Sequence, residues 1–144
     1  MAEKQIVLEI VTPEKNVVED EAQMVVAPGT YGEFCILPNH TPFLTTLKVG
    51  AVRYKDKSGT ERYVFINGGF SEALPNKVTI LAESAERRRD IDVERARAAM
   101  KRAEERLAEA MRADAKKEVF DHTRARAALQ RALMRRQLVE GGRG

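Results

Sequence analysis

From Arg87 to Glu140 the chain contains neither glycine nor proline, while residues 1–86 hold all five prolines and six of the nine glycines. A proline-free, glycine-free run of that length with twelve alanines is built to stay helical. A stretch punctuated as often as the first half cannot be helical for long and has to turn back repeatedly. The fold must therefore change class near residue 87. The change passes through Arg87–Ala99, RRRDIDVERARAA, and charge divides at the same place. Residues 1–86 carry 8 Lys/Arg against 12 Asp/Glu, whereas residues 87–144 carry 17 against 10, so a net −4 meets a net +7. A basic second half seeks an anionic partner.

The first half reads as short strands: Gln5–Val11, Val17–Val26, Glu33–Leu37, Phe43–Leu47, Val49–Lys55, Arg62–Ile66, Phe70–Leu74 and Val78–Ala82. Pro28-Gly29, Pro38–Pro42, a break near Gly50, Asp56–Gly59, Asn67-Gly68-Gly69 and Pro75-Asn76 separate them. Strands this closely spaced, with no helical crossover between them, predict an antiparallel β-sandwich or barrel over residues 1–86.

In residues 87–144 the apolar period becomes helical. Ala96, Ala99, Met100, Ala103, Leu107, Ala110 and Met111 form one stripe, with Asp90 as the expected N-cap. Periodicity lapses around Ala115–Asp121. A second stripe, Ala125, Ala128, Leu129, Ala132 and Leu133, follows an expected cap at Asp121 beside Phe120 and ends at Gly141-Gly142. Two helices joined by a short loop make an antiparallel hairpin. Its seam is mostly methyl groups, so pairing should be weak while each helix stays intrinsically stable. That combination suits a movable element.

Chemistry is sparse. One cysteine and two histidines do not make a usual zinc set, and neither a GxxxxGK phosphate loop nor a nucleophile elbow is present. No catalytic constellation stands out, and an enzyme acting alone is not expected. A single cysteine allows no internal disulfide, which fits a reducing compartment. MAEKQIVLEIV is too acidic for a secretory signal and no apolar run spans a bilayer, so a soluble, cytosolic protein is expected. Cys35 alternates with apolar neighbours and is expected to be buried. His40, between Pro38 and Pro42, is either a contact residue on an exposed loop or simply part of the turn.

The arginines are the positive signal. Asp92, Arg95 and Arg102 share a helical stripe, Arg95 and Arg102 lying about 10 Å apart along it. Arg124, Arg131 and Arg135 recur at spacings of seven and four on the second helix. If the hairpin folds near residue 117, Arg102, Arg131 and Arg135 converge on one anion, which guanidinium groups grip bidentately. The alternative is a solvated face paired with nearby Glu.

Several motifs occur in order: Pro28-Gly29, then Gly32–Pro42 (GEFCILPNHTP), Leu47–Gly50, Asn67–Glu72, Val78–Ala82 and Ile91–Ala96 (IDVERA). Together they resemble the epsilon subunit of bacterial F-type ATP synthase across about residues 5–139. The resemblance implies a ten-stranded β-sandwich with a C-terminal helical hairpin, in a non-catalytic rotor subunit. It implies contact with the gamma subunit and with the ring of c subunits, through an end of the sandwich carrying Glu33 and His40. The hairpin is implied to permit ATP hydrolysis when folded and to inhibit it when extended along gamma toward the alpha and beta subunits. It implies ATP as a regulatory ligand, no required cofactor, and candidate contacts at Glu83, Ile91, Asp92, Arg95, Ala96, Arg102, Arg131 and Arg135. The implied location is peripheral, on the cytoplasmic face of a bacterial plasma membrane, through the complex. Cys35 departs from the family's usual glycine, so a local backbone change is expected there. The rival readings are a ligand-free scaffold hairpin and a basic nucleic-acid-binding module; for the latter only Phe120 is available to stack on bases in that half.

Overall fold

The computed structural model describes residues 4–112 and 119–141, the side chains of residues 112 and 119–123 excepted. Among the described residues seven strands come first: β1 Ile6–Val11, β2 Asn16–Gly29, β3 Gly32–Ile36, β4 Phe43–Asp56, β5 Glu61–Ala73, β6 Lys77–Ala82 and β7 Ala85–Arg87. A single 3-10 turn, Arg88–Asp90, precedes helices α1 Val93–Arg112 and α2 Val119–Glu140. The chain divides into two compact units between Asp90 and Ile91.

In the first unit β1 alternates inward and outward, burying Ile6, Leu8 and Ile10 completely. Val78 and Ile80 of β6 do the same beside it, with Val25, Ile36, Val52, Val64 and Ile66 from the other strands completing the core. The sheet closes on itself in the order β1-β6-β5-β4-β2, because β2 also pairs β1. One pair, β1 with β6, is parallel; the other pairings are antiparallel. Residues Asn16–Ala22 of β2 face β1, whereas Val25–Gly29 face β3 and β4, with register shifts between Ala22 and Met24 and between Val26 and Gly29. Such irregularities bend a strand so that it serves both layers of a sandwich.

The strand count falls below the ten expected because two breaks are bends. Gly50 does not end β4; a Cβ there would meet the Pro28 ring, so glycine allows β2 and β4 to approach closely. Asn67-Gly68-Gly69 does not end β5 either, since Asn67 and Gly69 still pair Val49 and Leu47. Gly69 has φ 135°, and a Cβ there would overlap the Leu81 carbonyl oxygen. The expected turn at Asp56–Gly59 is present. The Asp56 carboxylate accepts hydrogen bonds from the Ser58 amide (2.9 Å), the Ser58 hydroxyl (2.6 Å) and the Thr60 amide (3.0 Å). Led by the Ser58 hydroxyl, these bonds and the Arg62 guanidinium pull the Asp56 pKa down to about 2.

Cys35 is exposed, contrary to the expectation of burial. Phe34 and Ile36 share the inner face of β3, which places Cys35 on the outer face of an edge strand. Its backbone is ordinary extended strand paired with Val26, so the change expected from replacing glycine does not occur at this residue.

In the second unit the helices pack through alanine. Ala96, Ala103, Ala125 and Ala132 are buried, while Met100, Leu107, Leu129 and Leu133 are only half-buried. Met111 leaves the expected stripe and is 78% exposed. The N-cap is Asp92 rather than Asp90. Asp92 Oδ1 accepts the Arg95 amide at 3.1 Å, while Asp90 lies in the preceding 3-10 turn. The break expected at Ala115–Asp121 lies partly outside the described residues; α2 already includes Phe120 and Asp121, whose side chains are also outside them. Helix α2 ends before Gly141, whose amide bonds the Gln137 carbonyl at 2.8 Å.

Candidate functional site: the arginines of the hairpin

At its open end the hairpin is tied by charge. Arg97 of α1 reaches Glu140 of α2 at 3.2 Å, and Arg136 holds the same carboxylate at 3.4 Å while its Nη1 approaches Met100 Sδ. These contacts set an antiparallel register in which Arg102 stands near the level of Arg135. They also use Glu140 as a shared counter-ion for two guanidiniums, which orients α2 against α1.

Toward the other end the two helices together line a cleft of about 670 Å³. Arg106 and Glu109 line it from α1, and Arg124 and Arg131 from α2, over a floor of alanines. Among the described lining residues three guanidiniums, Arg124 being already engaged, stand against one carboxylate, and the cleft's volume falls within the range of small-molecule sites. Alanine helps to keep the space open: a larger residue at Ala125 or Ala128 would take up part of it.

The predicted site residues are distributed as follows. Arg131 is half-buried and lines the cleft. Arg102 is exposed on α1, and Arg135 is half-buried and engaged; neither lines the cleft. Arg95 is exposed, Ala96 is buried in the seam and Ile91 is 7% exposed. Asp92 has one carboxylate oxygen committed to capping α1, so the first Asp of the IDVERA motif has a structural task. Glu83 belongs to the first unit, exposed just beyond β6, its amide bonded to the Gly68 carbonyl at 3.4 Å. Arg106 was missed by the spacing argument. It lies four residues beyond Arg102, on the same helical face, and that signal was available.

At the loop end of the first unit Glu33 is paired with Arg53 at 2.7 Å, both about half exposed. His40 is half-buried. Its Nδ1 lies 2.8 Å from the Thr41 carbonyl oxygen and its ring is 5.1 Å from that of Phe43. Asn39 turns the loop at φ 64°, its amide bonded to the Pro75 carbonyl at 2.7 Å. His40 is thus a docked turn residue with part of its surface open.

Two family descriptions match the chain end to end. Residues 5–88 match the ATP synthase, Delta/Epsilon chain, beta-sandwich domain, and residues 89–140 match the ATP synthase, Delta/Epsilon chain, long alpha-helix domain. An ATP synthase epsilon chain of Desulforapulum autotrophicum is 56% identical over 140 residues, covering 97% of this chain and 98% of that one. That of Syntrophobacter fumaroxidans is 54% identical over 140 residues, with the same coverage. Among solved structures, a chain of Euglena gracilis mitochondrial ATP synthase superposes with TM-score 0.74 at 18% identity, covering 90% of this chain and 78% of that one. At that identity the structural likeness speaks for the fold.

Proposed function

The chain belongs to the ATP synthase epsilon-chain family, as a non-catalytic stalk subunit of a complex whose catalysis lies in other subunits, and we propose that its hairpin is a mobile, ATP-sensing brake on hydrolysis. The observation that carries this reading is the division of the chain at Asp90, with a hairpin sealed by alanine methyls and tied by ions where Arg97 and Arg136 meet Glu140. Each buried methyl contributes little, at about 25 cal/mol per Å² of apolar surface, so the helices can part without melting. The parted helices present their basic residues to acidic surfaces on the alpha and beta subunits.

ATP acts by differential affinity. Arg106, Arg124 and Arg131 surround one cleft only while α1 and α2 are paired, so an anion in that cleft favours the folded hairpin. Arg102 and Arg135, level with each other, extend the cationic surface toward the open end, and Asp92 and Arg95 at the start of α1 are the further candidate contacts. The first unit supplies the permanent attachments. Phe70 and Leu81 are cross-strand partners that stay 52% and 55% exposed, with Leu44 on β4 at 70%. This apolar surface is suited to gamma. The loop end, with Glu33, His40 and the fully open Tyr31, is suited to the ring of c subunits. No helix among the described residues is long and apolar enough to cross a membrane. Attachment to the cytoplasmic face of the plasma membrane therefore runs through these partners.

Calorimetric titration of the full chain with ATP, and in parallel with GTP, tests the sensor. Saturable, ATP-selective binding is expected, weakened roughly tenfold or more by Arg131→Ala and by Arg102→Ala, the usual worth of a lost charge-assisted bond. In the reassembled complex both variants should inhibit hydrolysis more strongly at the same ATP concentration. Unchanged ATP binding in both variants would remove these arginines from the site.

A further inference from the structure

We propose that the first unit contains a second anion site, independent of the hairpin: a cavity beside the Arg88–Asp90 turn that takes a small tetrahedral oxyanion, phosphate or a terminal phosphoryl group, with Arg88 as its central ligand. The cavity measures about 120 Å³, and its walls come from Asp20 on β2, Tyr54 on β4, Arg62 and Tyr63 on β5, and Arg87 to Arg89 at the end of the unit. All of these residues lie within the first unit.

Arg88 is the anomaly. Its side chain is 7% exposed, its guanidinium carbon stands 4.9 Å above the Tyr63 ring, and its Nη1 has no hydrogen-bond partner among the described residues. A ring face offsets only part of the cost of burying a cation, and buried charges are ordinarily paired as well as hydrogen-bonded. Three nearby carboxylates are already engaged, Glu61 accepting the Tyr63 hydroxyl at 3.1 Å. Asp56 is bonded to Ser58, Thr60 and Arg62. Asp20 accepts the Tyr54 hydroxyl at 3.3 Å on Oδ2 and the Glu21 amide at 2.9 Å on Oδ1. Arg87 spends its Nε on the Val17 carbonyl at 2.8 Å, which fixes its side chain. Among the lining residues Arg62 is thus paired with Asp56, while Arg87, Arg88 and Arg89 face one committed carboxylate, Asp20, around an open volume.

The volume selects the ligand. A cavity of about 150 Å³ accepts a benzene-sized molecule, so this space holds a tetrahedral oxyanion but not a base and sugar. The guanidinium fork matches two oxygens of such an ion at once. Tyr54 stays protonated beside it, because burial and then the Asp20 charge push its pKa up to about 12, so no second anion competes.

The test is a titration of the full chain with sodium phosphate at constant ionic strength, followed by NMR of the arginine Nε–Hε resonances and of the Tyr63 amide. Saturable shifts at Arg88 and Tyr63 are expected with phosphate and none with chloride. Arg88→Gln, which keeps donors but loses the charge, should weaken phosphate binding roughly tenfold or more. Equal shifts with chloride, or phosphate binding undiminished in a folded Arg88→Gln chain, would overturn the site. Should that variant not fold, the more exposed Arg62→Gln and Arg89→Gln each lower phosphate affinity severalfold with folding intact; unchanged affinity in both overturns the site equally. Adding ATP to the Arg131→Ala chain separates the sources. Displacement of phosphate identifies a nucleotide's terminal phosphoryl group as a ligand, and phosphate binding that survives excess ATP identifies the free ion. Because the readout lies in the first unit, failure here leaves the hairpin sensor standing, and failure of the sensor leaves this site standing.

Discussion

The two units of this chain are stabilised by different means. In the sandwich Ile6, Leu8, Ile10, Ile36, Ile66 and Ile80 are wholly removed from water, and every strand contributes to a sheet that closes on itself. In the hairpin the fully packed positions are alanines, and the larger side chains remain half open. Large branched side chains interlock and must come apart together; methyl seams separate with little loss of area. The contrast teaches that one chain can combine an interlocked core with a loosely sealed hairpin simply by grading side-chain size along its length.

The sharpest way to break the comparison is to disturb the packing of each unit in turn. Ile80→Ala is expected to cost about 2–5 kcal/mol of the sandwich's stability in urea unfolding, the range for cavities in a closed core. A loss below about 1 kcal/mol would mean that this core is far more accommodating than its burial implies. Next comes overpacking of the hairpin. Ala132 is 1% exposed, so Ala132→Leu should cost about 1–3 kcal/mol by forcing α1 and α2 apart. Helix content should nevertheless survive. Spin labels on the two helices would read the separation, and an unchanged distance would contradict the tight seam.

Acid and alkali sharpen the comparison from another side, because the resolved carboxylate and tyrosine shifts described above belong to the sandwich. The Asp56 pKa is about 2 in the fold against 3.8 unperturbed. The unfolded chain therefore binds this proton more readily, and the contribution is complete above about pH 4 and lost as pH falls through about 2. Asp56→Asn should remove that dependence from the sandwich melting curve. Tyr54 runs the opposite way. With its pKa raised from 10.0 to about 12, its contribution is complete below pH 10 and fades as pH rises toward 12. Tyr54→Phe should flatten that alkaline slope, and a slope of equal steepness would assign it to other groups. The smallest effect belongs to the hairpin's ionic tie. Glu140→Gln should cost only about 0.2–1 kcal/mol, less in high salt, because the partners are roughly half exposed. It should loosen the ends of α1 and α2 in hydrogen exchange and leave the sandwich untouched.

Much of this could be read from residue order. Short apolar runs between turn signals marked Gln5–Val11 and Val78–Ala82 as strands, and the glycine-free run after Arg87 marked the helices. Where local signals misled, either a segment distant in sequence or the backbone path nearby was responsible. Gly50 reads as a break until Pro28 is seen against it. Asp90 reads as a cap until the 3-10 turn moves the helix start to Val93 and gives the task to Asp92. Cys35 reads as core until β3 proves to be an edge strand.

The sequence by itself determined the class of each unit, the junction near Arg87, the family and the cationic character of the hairpin, because periodicity, punctuation and charge are local properties of the chain. Only the tertiary structure decided which arginines meet. Helix register put Arg106 and Arg124 with Arg131 around the cleft. Sheet closure brought Asp20, Tyr54 and Arg62 to Arg88, from strands 34 or more residues away from one another in part. Those juxtapositions depend on pairing between distant segments, which no short-range pattern encodes.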